Sequence, residues 1–412
     1  MKFFFQVFGC RLNQAEAASW QAALEAQGHS AVSKDEADIL CIHSCAVTEP
    51  AVKEVAKLLR SLRARRPDVK IVLSGCATDL LPESLADLRI PHDRKAEWIP
   101  QVLSWLTRTA PFPQMLPEFV PFSSHSKTRT SLIVQDGCDR FCTYCIVPYM
   151  RGVPTSEPMS SLLREAEARF AAGYREIVLT GCHLALYRDP ETGAGLTELL
   201  RRLCDVRGEG RFRISSLEPC VSDDADLIRL IARSGGRICD FLHLPLQSAS
   251  DTVLERMERT YRATELHQLF ELIGEYLPQA GLGADWIVGF PGETEADAAA
   301  TRAFVERYPF TGAHVFPYSR RPGTPAAEYD GQLPAQTIHA RAARLSEIAK
   351  AVAEKRVKDF LFKPLTVIPE RLRDGCMEGW SSQRIRCRLP ASAQRGCLTP
   401  FVPIRAEGTI LL

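Results

Sequence analysis

The chain has 412 residues, of which 45% are hydrophobic and 25% are charged, and its formal net charge is +1. This length predicts two or three domains rather than one, and the near-neutral balance excludes a polyelectrolyte. No apolar run approaches the roughly 20 residues that a membrane helix needs, so we expect no membrane partner. We expect a reducing, cytoplasmic location, where the 14 cysteines favour metal binding or thiol chemistry over disulfides.

Residues 1–112 alternate strand and helix patterns. Strands are predicted at Phe3–Phe8, Asp38–Ile42 and Lys70–Leu73, and helices at Gln14–Gln27 and Pro50–Arg65. This β-α-β-α-β order is typical of a small parallel sheet with helices on its faces. The opening MKFFFQVFGC has no small-residue cleavage site after its apolar stretch, and we interpret it as the first strand rather than a signal peptide.

A cysteine directly follows each of these three strands, namely Cys10 after FFFQVFG, Cys45 after DILCIHS and Cys76 after KIVLSG. Because the carboxyl ends of parallel strands lie along one edge of a sheet, cysteines far apart in sequence can converge there. Ordinary buried cysteines are the alternative interpretation. Three equivalent strand-end positions favour a shared metal or cluster.

Residues 113–130 are rich in Pro, Ser and Thr and predict a linker. Residues 131–355 then resume the alternation with longer helices. Six strands are predicted there: Ser131–Gln135, Glu176–Thr180, Arg211–Ser215, Phe241–Leu246, Leu282–Val288 and Ala313–Phe316. Six strand–helix repeats predict an open (β/α)6 barrel, which carries its chemistry at the carboxyl ends of the strands.

Residues 356–412 contain four predicted short strands, LTVIPERL (365–372), RIRCRLP (384–390), FVPIRA (401–406) and GTILL (408–412), separated by turn residues, which is typical of a small β-barrel. The segment carries ten Lys and Arg against five Asp and Glu. This positive excess favours nucleic-acid binding, with a merely solvated basic face as the alternative. The whole chain is therefore predicted to be an α/β protein with domains at 1–112, 131–355 and 356–412.

The stretch GCDRFCTYC (137–145) places Cys138, Cys142 and Cys145 in a C-x3-C-x2-C spacing after the first predicted strand of the central domain. A structural zinc site closes with four ligands, and a fourth is not obvious nearby. Thiolates are also the usual ligands of iron–sulfur clusters. Three thiolates on a four-iron cluster would leave one iron free to bind something else, whereas a zinc site or a thiol-redox pair remains the alternative.

The C-x3-C-x2-C spacing with Tyr144 before the last cysteine resembles the radical S-adenosylmethionine (SAM) enzymes. GCRLNQAEA (9–17), SCAVTEPA (44–51), SGCAT (74–78) and QDGCDRFCTYCIVPYMRG (135–152) together resemble their methylthiotransferase branch. Members of that branch have an N-terminal three-cysteine domain, a radical SAM barrel and a C-terminal RNA-binding TRAM domain. The resemblance covers nearly the whole chain.

The resemblance implies two 4Fe-4S clusters and SAM. One cluster would bind the three loop cysteines and hold SAM on its open iron. The auxiliary cluster would bind the three strand-end cysteines, also with one open iron. Six further residues in matching motifs are expected to contact SAM: Tyr144, Gly181, Glu218, Gln247, Arg256 and Val288. Plain barrel packing is the alternative for each of them, above all for Gln247 and Arg256.

Besides a short C-terminal barrel, the sequence departs from the family pattern at two places. His43 and Ser44 precede Cys45, where the family often has Asn and Thr. Cys182 and His183 occupy a turn that usually carries Asp or Asn. Both departures concern the surroundings of the six cysteines and leave the cysteines themselves in place.

The implied reaction combines hydrogen abstraction by a 5′-deoxyadenosyl radical with insertion of a methylthio group built at the auxiliary cluster. The family's substrates are tRNA adenosines at position 37, with an isopentenyl or a threonylcarbamoyl group, and a ribosomal-protein aspartate. The motif GCRLN (9–13) looks most like the threonylcarbamoyl branch, since the other two read GCQMN and GCPKN. We therefore expect methylthio addition to C2 of N6-threonylcarbamoyladenosine.

The expected partners are the anticodon-loop region of tRNA, an external electron donor and a sulfur donor. A non-catalytic iron–sulfur protein that binds RNA or senses redox state is the alternative of another class. Such a protein would not need the SAM-site motifs TGCH, SSLEP and VGFPGET.

Overall fold

The computed structural model describes residues 1–107, 128–219 and 224–412, so most of the predicted linker 113–130 lies outside the described residues. The N-terminal part is one parallel sheet of five strands in the spatial order β2-β1-β3-β4-β5. Its elements are β1 (Lys2–Val7), α1 (Arg11–Ala26), β2 (Ser30–Ala31), β3 (Ile39–Ser44), α2 (Glu49–Arg65), β4 (Lys70–Gly75), β5 (Leu88–Ile90) and α3 (Trp98–Thr107).

The predicted β-α-β-α-β order is confirmed, and β5 and α3 extend it at the far edge. Helix α2 begins where the Thr48 hydroxyl accepts a hydrogen bond from the Ala51 amide at 3.3 Å, with Pro50 in the first turn. Alternate residues of β3 face opposite sides of the sheet. Leu40 packs in the cluster below α2, whereas Cys41 packs in the cluster with Trp20 and is an ordinary core residue.

The central part contains two three-stranded parallel sheets, β6-β9-β10 and β11-β12-β13. A parallel bridge between Ser216 and His243 joins them, so the six strands follow one another in chain order. The elements are β6 (Thr130–Ile133), β7 (Gln135–Asp136), α4 (Val147–Arg151), β8 (Thr155–Ser156), α5 (Met159–Ala171), β9 (Glu176–Thr180), α6 (Leu196–Cys204), β10 (Arg211–Ile214), α7 (Asp224–Arg233), β11 (Phe241–Gln247), α8 (Asp251–Arg256), α9 (Ala263–Tyr276), β12 (Gly281–Val288), α10 (Glu295–Arg307), β13 (Gly312–Pro317) and α11 (Ala335–Lys358).

All six predicted central strands are confirmed to within two residues at each end. Leu242, Leu244 and Leu246 of β11 pack against the surrounding helices, so His243 and Gln247 face the opposite, inner side of the strands. Because the hydrogen-bonded ladders form two sheets in the described residues, closure into a barrel stays a prediction.

The C-terminal part is a six-stranded mixed sheet in the order β17-β14-β15-β16-β19-β18. Its strands are β14 (Leu365–Arg373), β15 (Cys376–Ser381), β16 (Arg386–Pro390), β17 (Thr399–Phe401), β18 (Ala406–Glu407) and β19 (Ile410–Leu411). Helix α11 passes the expected boundary at 355/356, since Val357 near its end packs into the core of this sheet. Strand β15 was not among the predicted strands, and a closed barrel remains a prediction here also.

Two buried arginines join the C-terminal sheet to the central strands. Arg213 donates to the carbonyls of Ser381 and Ser382 at 3.0 and 2.9 Å, and Arg211 donates to the Thr366 carbonyl at 2.9 Å. The fully buried Glu176 accepts from both guanidinium groups at 2.8 Å. The three charges are thus hydrogen-bonded, as buried ions must be. Among the described helices, none has the length and hydropathy required to cross a membrane.

Candidate functional site

Cys138, Cys142 and Cys145, which we call the loop set, lie in the loop between β7 and α4. The Cys145 amide donates to the Cys142 carbonyl at 2.8 Å and closes a tight turn. The Cys138 amide donates to Gly152 at 3.0 Å, which ties the start of the loop to its end. Gly137 precedes the set at φ +73°, and any side chain there would collide with the carbonyl of Val153.

The three thiols of the loop set share one pocket. Burial, together with the nearby Cys142 and Cys138 thiols, raises the pKa of Cys145 to about 12. Burial and the Cys142 thiol likewise raise the pKa of Cys138. Buried thiols that disfavour one another's ionisation are stabilised as thiolates by a bound cation. The donor set therefore fits a thiolate-ligated metal cluster.

Arg259 connects this pocket to the predicted SAM residues. Its Nη1 lies 3.3 Å from Cys142 Sγ, 3.1 Å from Glu218 Oε2 and 3.4 Å from the Tyr144 hydroxyl. Sequence analysis did not select Arg259, because no spacing distinguishes it from Arg256 three residues earlier. The structure thus brings Glu218 and Tyr144 to the loop set through a residue that we had missed.

Glu218 and His183 form the opposite wall of the pocket. His183 Nε2 lies 3.0 Å from Glu218 Oε2. Burial opposes ionisation of Glu218, but the adjacent His183 ring and the charge of Arg259 lower its pKa. Both ring nitrogens of His183 are buried, and neither has a well-aligned hydrogen-bond partner among the described residues. A buried orphan nitrogen beside a carboxylate fits a pocket that receives a polar ligand such as SAM.

The remaining predicted SAM contacts lie at the carboxyl ends of the strands. Gly181 directly follows β9 and lies against the backbone of Gln135. A Cβ at position 181 would stand 2.9 Å from the Gln135 carbonyl oxygen. Gln247 ends β11, is 8% exposed and has φ +68°, a conformation unusual for a residue other than glycine. Val288 ends β12, and its carbonyl accepts from the Tyr318 amide at 2.8 Å.

Arg256 lies apart from the loop set. Its guanidinium donates to Asp330 Oδ1 at 3.0 Å and to the Pro291 carbonyl at 3.2 Å, and it covers the Tyr329 ring at 5.1 Å. Its backbone carbonyl accepts from the Thr143 hydroxyl at 2.9 Å. Arg256 therefore supports the loop through its backbone, and its contact with SAM stays a prediction.

Cys10, Cys45 and Cys76, which we call the strand-end set, follow β1, β3 and β4 as predicted. A Cβ at Gly9 would stand 2.5 Å from Cys45 Sγ, so this thiol lies directly against the residue before Cys10. Burial raises the pKa of Cys45 and of Cys76, and in both cases the Cys10 thiol adds to the increase. The three cysteines therefore converge at one edge of the sheet.

A fourth thiol, Cys182 of the central part, joins the strand-end set. Burial raises its pKa to about 12, and the thiols of Cys10 and Cys76 contribute to this increase. Its sulfur lies 3.1 Å from Asp136 Oδ1. The sequence showed Cys182 only as a departure from the family pattern, because nothing local indicates that its turn faces the N-terminal sheet.

Arg151 is the centre of a buried polar network between the two parts. Its side chain is 2% exposed and donates to Asn13, Glu16 and Asp136 at 2.6 to 3.1 Å. Its charge also lowers the pKa of Cys76, against the larger effect of burial. This positive charge beside the thiols fits an anionic thiolate site.

The other departure from the family pattern, His43 and Ser44, takes part in the same network. His43 Nε2 lies 3.1 Å from Glu16 Oε2, and its Nδ1 lies 2.9 Å from the Ser74 hydroxyl. The Ser44 hydroxyl donates to the Ser74 carbonyl at 2.6 Å and accepts from the Ala77 amide. His43 and Ser44 therefore hold the ends of β3 and β4 together beside Cys45.

The loop set and the strand-end set lie in regions of the chain that match known protein families. Residues 132–305 match the Radical SAM superfamily, and residues 2–93 match the uncharacterized protein family UPF0004. The radical SAM match implies a 4Fe-4S cluster and SAM, for which the loop set and its pocket are the fitting site.

Two solved structures share the fold. A radical SAM methyltransferase, TsrM from Kitasatospora setae, has a TM-score of 0.56 at 14% identity over 79% of this chain and 75% of its own. The cobalamin-dependent SAM radical enzyme OxsB has a TM-score of 0.51 at 11% identity over 86% of this chain and 56% of its own. At these identities the likeness shows the fold alone.

Full-length relatives are more similar in sequence. A threonylcarbamoyladenosine tRNA methylthiotransferase MtaB from Thermotoga maritima is 33% identical over 92% of this chain and 89% of its own length. The protein of that name from Bacillus subtilis is 32% identical over 89% and 84%. A tRNA-2-methylthio-N(6)-dimethylallyladenosine synthase from Corynebacterium efficiens is 30% identical over 98% and 80%. The chain therefore belongs to the radical SAM methylthiotransferase family.

Proposed function

We propose that this protein adds a methylthio group to C2 of N6-threonylcarbamoyladenosine at position 37 of tRNA. The relatives from Thermotoga maritima and Bacillus subtilis, whose names state this substrate, support the proposal. The observation that carries it is the convergence of a second thiol set, with Cys182, on the face where the N-terminal sheet meets the central strands. A simple SAM radical enzyme would need the loop set alone.

The pocket around the loop set would bind the first cluster and SAM, which together supply one-electron chemistry for activating a C–H bond. Glu218, ionised because of His183 and Arg259, offers an acceptor for a ligand ammonium group. Arg259 places positive charge beside the Cys142 sulfur and so stabilises the thiolate form that a cluster requires. The buried position of these groups excludes water from the reacting atoms.

The strand-end set would hold a second 4Fe-4S cluster, at which we place the supply of sulfur. Four thiols meet there, and Arg151 provides a buried positive charge beside Cys76. Asp136 and Glu16 anchor the guanidinium of Arg151, so its position is fixed. An external electron donor and a sulfur donor complete the proposed reaction.

The C-terminal sheet would bind the anticodon-loop region of tRNA. With tRNA as the substrate, the activity would take place in the cytoplasm. The ten Lys and Arg of residues 356–412 exceed the five Asp and Glu twofold. Arg373 and Arg405 are more than half exposed, and each would exchange its exposed carboxylate partner, Asp374 or Glu407, for a phosphate group. The exposed segment between β17 and β18, including Ile404, adds apolar surface beside them.

A second candidate substrate is an adenosine with a dimethylallyl group at N6. The Corynebacterium efficiens relative, whose name states that product, is 30% identical over 98% of this chain and supports this candidate. A ribosomal-protein aspartate and a non-catalytic iron–sulfur function are the further alternatives that the experiments below must separate.

The first experiment tests radical chemistry in vitro. We expect the anaerobically reconstituted protein, given dithionite and SAM, to form 5′-deoxyadenosine, and a Cys142→Ala variant to form none. A protein with full iron content that forms no 5′-deoxyadenosine would be a non-catalytic iron–sulfur protein.

The second experiment identifies the substrate in cells. Nucleoside mass spectrometry of tRNA from a deletion strain should show loss of 2-methylthio-N6-threonylcarbamoyladenosine and accumulation of its precursor without the methylthio group. Complementation with the wild-type gene should restore the product, whereas a Cys45→Ala gene should not. Loss of a methylthiolated dimethylallyladenosine instead would establish the second candidate, and unchanged tRNA would direct attention to ribosomal protein.

A further inference from the structure

Two histidines and an aspartate from three neighbouring strands meet on the inner face of the central part. His243 lies on β11, Asp285 on β12 and His314 on β13. Asp285 Oδ1 lies 3.0 Å from His243 Nε2 and 3.0 Å from His314 Nδ1. The three donor atoms all lie within 4.8 Å of one another. Neither thiol set and no step of the proposed reaction uses these residues.

The register of the sheet places the three side chains together. Asp285 stands directly opposite His314 in the ladder between β12 and β13. His243 stands opposite Gly283, which lies two residues before Asp285 on the same side of β12. A Cβ at position 283 would lie 2.6 Å from His243 Nδ1, so the imidazole occupies the space that a side chain would fill. Glycine at this position therefore lets His243 reach Asp285.

The partners of Asp285 set it apart from another group of close histidine and acidic side chains. That group consists of Glu16, His92 and Asp136. Lys95 and Arg151 pair with both of its carboxylates, so side-chain cations already neutralise it. Asp285 has no lysine or arginine ion-pair partner among the described residues, and its partners are the two imidazoles. Imidazole is a common metal ligand in its neutral form, so this carboxylate is left to balance a bound cation.

The local field favours a positive charge at this position. Asp285 raises the pKa of His314, first through their hydrogen bond, against the effect of burial. The positive charges of Arg384 and Arg11 oppose this increase but do not cancel it. The His314 side chain is 68% exposed, whereas those of His243 and Asp285 are 16% and 20% exposed. The group therefore has one shielded side and one open side.

We infer that His243, Asp285 and His314 bind a divalent transition-metal ion, zinc or iron(II). Two imidazoles and one carboxylate are a donor set that proteins use for both ions, with positions left open for water or substrate. Bonds of about 2.1 Å in tetrahedral geometry require donor atoms about 3.4 Å apart. The separations of 3.0 Å from Asp285 need only a small outward rotation of the two rings.

The position of the site indicates what its open coordination positions would bind. Asp285 and Ile287 lie on the same side of β12, and Ile287 packs against the same apolar cluster as Tyr144 of the loop set. Two residues advance a strand by about 7 Å, so the ion would lie roughly this far along the inner face from that layer. A substrate group that completes the coordination would be an oxygen donor, such as a carboxylate or a hydroxyl. The metal site itself does not depend on which substrate the enzyme modifies.

Zinc binding tests the inference directly. The reconstituted, iron-loaded protein is the material, because its cluster cysteines are then occupied. After equilibration with Zn²⁺ and removal of loosely bound ions, elemental analysis should find about one zinc per chain. Competition with a chromophoric chelator gives the dissociation constant. Asp285→Asn and His314→Ala should each weaken zinc binding at least about tenfold, since even a residue that only orients a ligand contributes that much.

Two glycines in the same row of the sheet provide a matched pair of variants. Gly283→Ala keeps all three ligands but places a methyl group where the His243 ring lies, so zinc binding should weaken. Gly312 stands opposite Gly283, and a Cβ there meets no described atom within 4 Å. Gly312→Ala should therefore bind zinc as the wild type does. His339→Ala, on the exposed side of α11, is the control for loss of a histidine. Iron content and circular dichroism verify that each variant is assembled.

X-ray absorption at the zinc edge identifies the ligands. Zinc on imidazole and carboxylate has nitrogen and oxygen neighbours at about 2.0 Å, whereas zinc on cysteine has sulfur at about 2.3 Å. A sulfur shell, or a wild type that retains no zinc, would overturn the inference. Asp285→Asn and His314→Ala proteins that bind zinc as tightly as His339→Ala would also overturn it, because the ion would then be adventitious.

Discussion

The loop set and the strand-end set contain three cysteines each, but they are assembled in different ways. The loop set lies within eight residues of one loop, and its thiols are close because the chain turns there. The strand-end set comes from three separate strands and is close only because the sheet is parallel. The first site is a property of a segment, and the second is a property of a fold.

The surroundings of the two sets differ in the same way. Arg259 and Glu218, both from the central part, complete the loop set. The cysteines of the strand-end set belong to the N-terminal sheet, but Arg151 and Cys182 beside them come from the central part. Damage to the contact between the two parts should therefore harm the second set more than the first.

The largest expected effect is that a cysteine substitution in one set abolishes the activity of that set and leaves the other set loaded. Cys142→Ala should abolish 5′-deoxyadenosine formation and leave the second set loaded, whereas Cys45→Ala should keep 5′-deoxyadenosine formation and lose methylthio transfer. Each variant should retain about four irons per chain, because each lacks one four-iron cluster. Iron analysis and nucleoside mass spectrometry measure both quantities. Loss of 5′-deoxyadenosine in Cys45→Ala with its loop cluster intact would contradict the independence of the sets.

The next effect tests the contact between the two parts. Arg151→Met removes a side chain that is 2% exposed and takes its positive charge from the buried Glu16 and Asp136, although Lys95 still pairs with both carboxylates. We expect the free energy of unfolding of the metal-free protein to fall by about 3 kcal/mol, since the two carboxylates lose a buried ion-pair partner and keep only part of their compensation. Urea denaturation measures this change.

The control for Arg151 is Arg229→Met, which breaks an exposed ion pair with Asp226 and should lower the free energy of unfolding far less. Iron should be lost from the strand-end set of Arg151→Met before it is lost from the loop set. A variant as stable as the control would show that the network does not hold the two parts together.

A smaller effect concerns the loop set. Arg259→Met removes the guanidinium at 3.3 Å from Cys142 Sγ and should lower the rate of 5′-deoxyadenosine formation about tenfold, the value of one charged hydrogen bond. Arg256→Met is the matched control, because its guanidinium binds Asp330 instead. Rates under saturating reductant, with iron content measured in parallel, compare the two. Equal losses would mean that the pocket extends to Arg256.

The smallest effect is a pH dependence confined to the strand-end set. Burial opposes ionisation of Glu16, but His43, Arg151 and Lys95 lower its pKa well below the ordinary value of 4.5. Its stabilising contribution is therefore present above about pH 4.5 and is lost as the pH falls through the lowered pKa. The difference in melting temperature between wild-type and Glu16→Gln protein, both metal-free, should shrink on acidification. A difference that stays constant as the pH falls from above 4.5 to well below it would argue against a charged Glu16.

Much of the fold followed from local patterns. The three N-terminal and six central strands were predicted because apolar runs, bounded by turn residues, recur at regular intervals. Strand β5 was missed because its three residues, LRI, carry no periodic signal. Strand β15 was missed because Glu378 and Gly379 interrupt its apolar pattern, and the Glu378 carboxylate is buried only through its pairs with Arg371 and Arg388.

The site was predicted less evenly. All six cysteines could be selected from the sequence, because spacing and strand-end position are local properties. Arg259, Arg151 and Cys182 could not, since each acts on a group more than 30 positions away in the chain. Arg256 was selected instead of Arg259 because both lie in the same motif and the sequence does not distinguish them. In the structure their guanidinium groups contact different partners, Asp330 and Cys142.

The sequence by itself determined the elements, the two sets of thiols and the family resemblance, since backbone propensity, periodicity and cysteine spacing act within short segments. Only the tertiary structure decided which charges meet. It joined Arg151 to the strand-end set and Arg259 to the loop set. Buried charges interact strongly over distances that packing alone sets, so their partners cannot be read from neighbours in sequence.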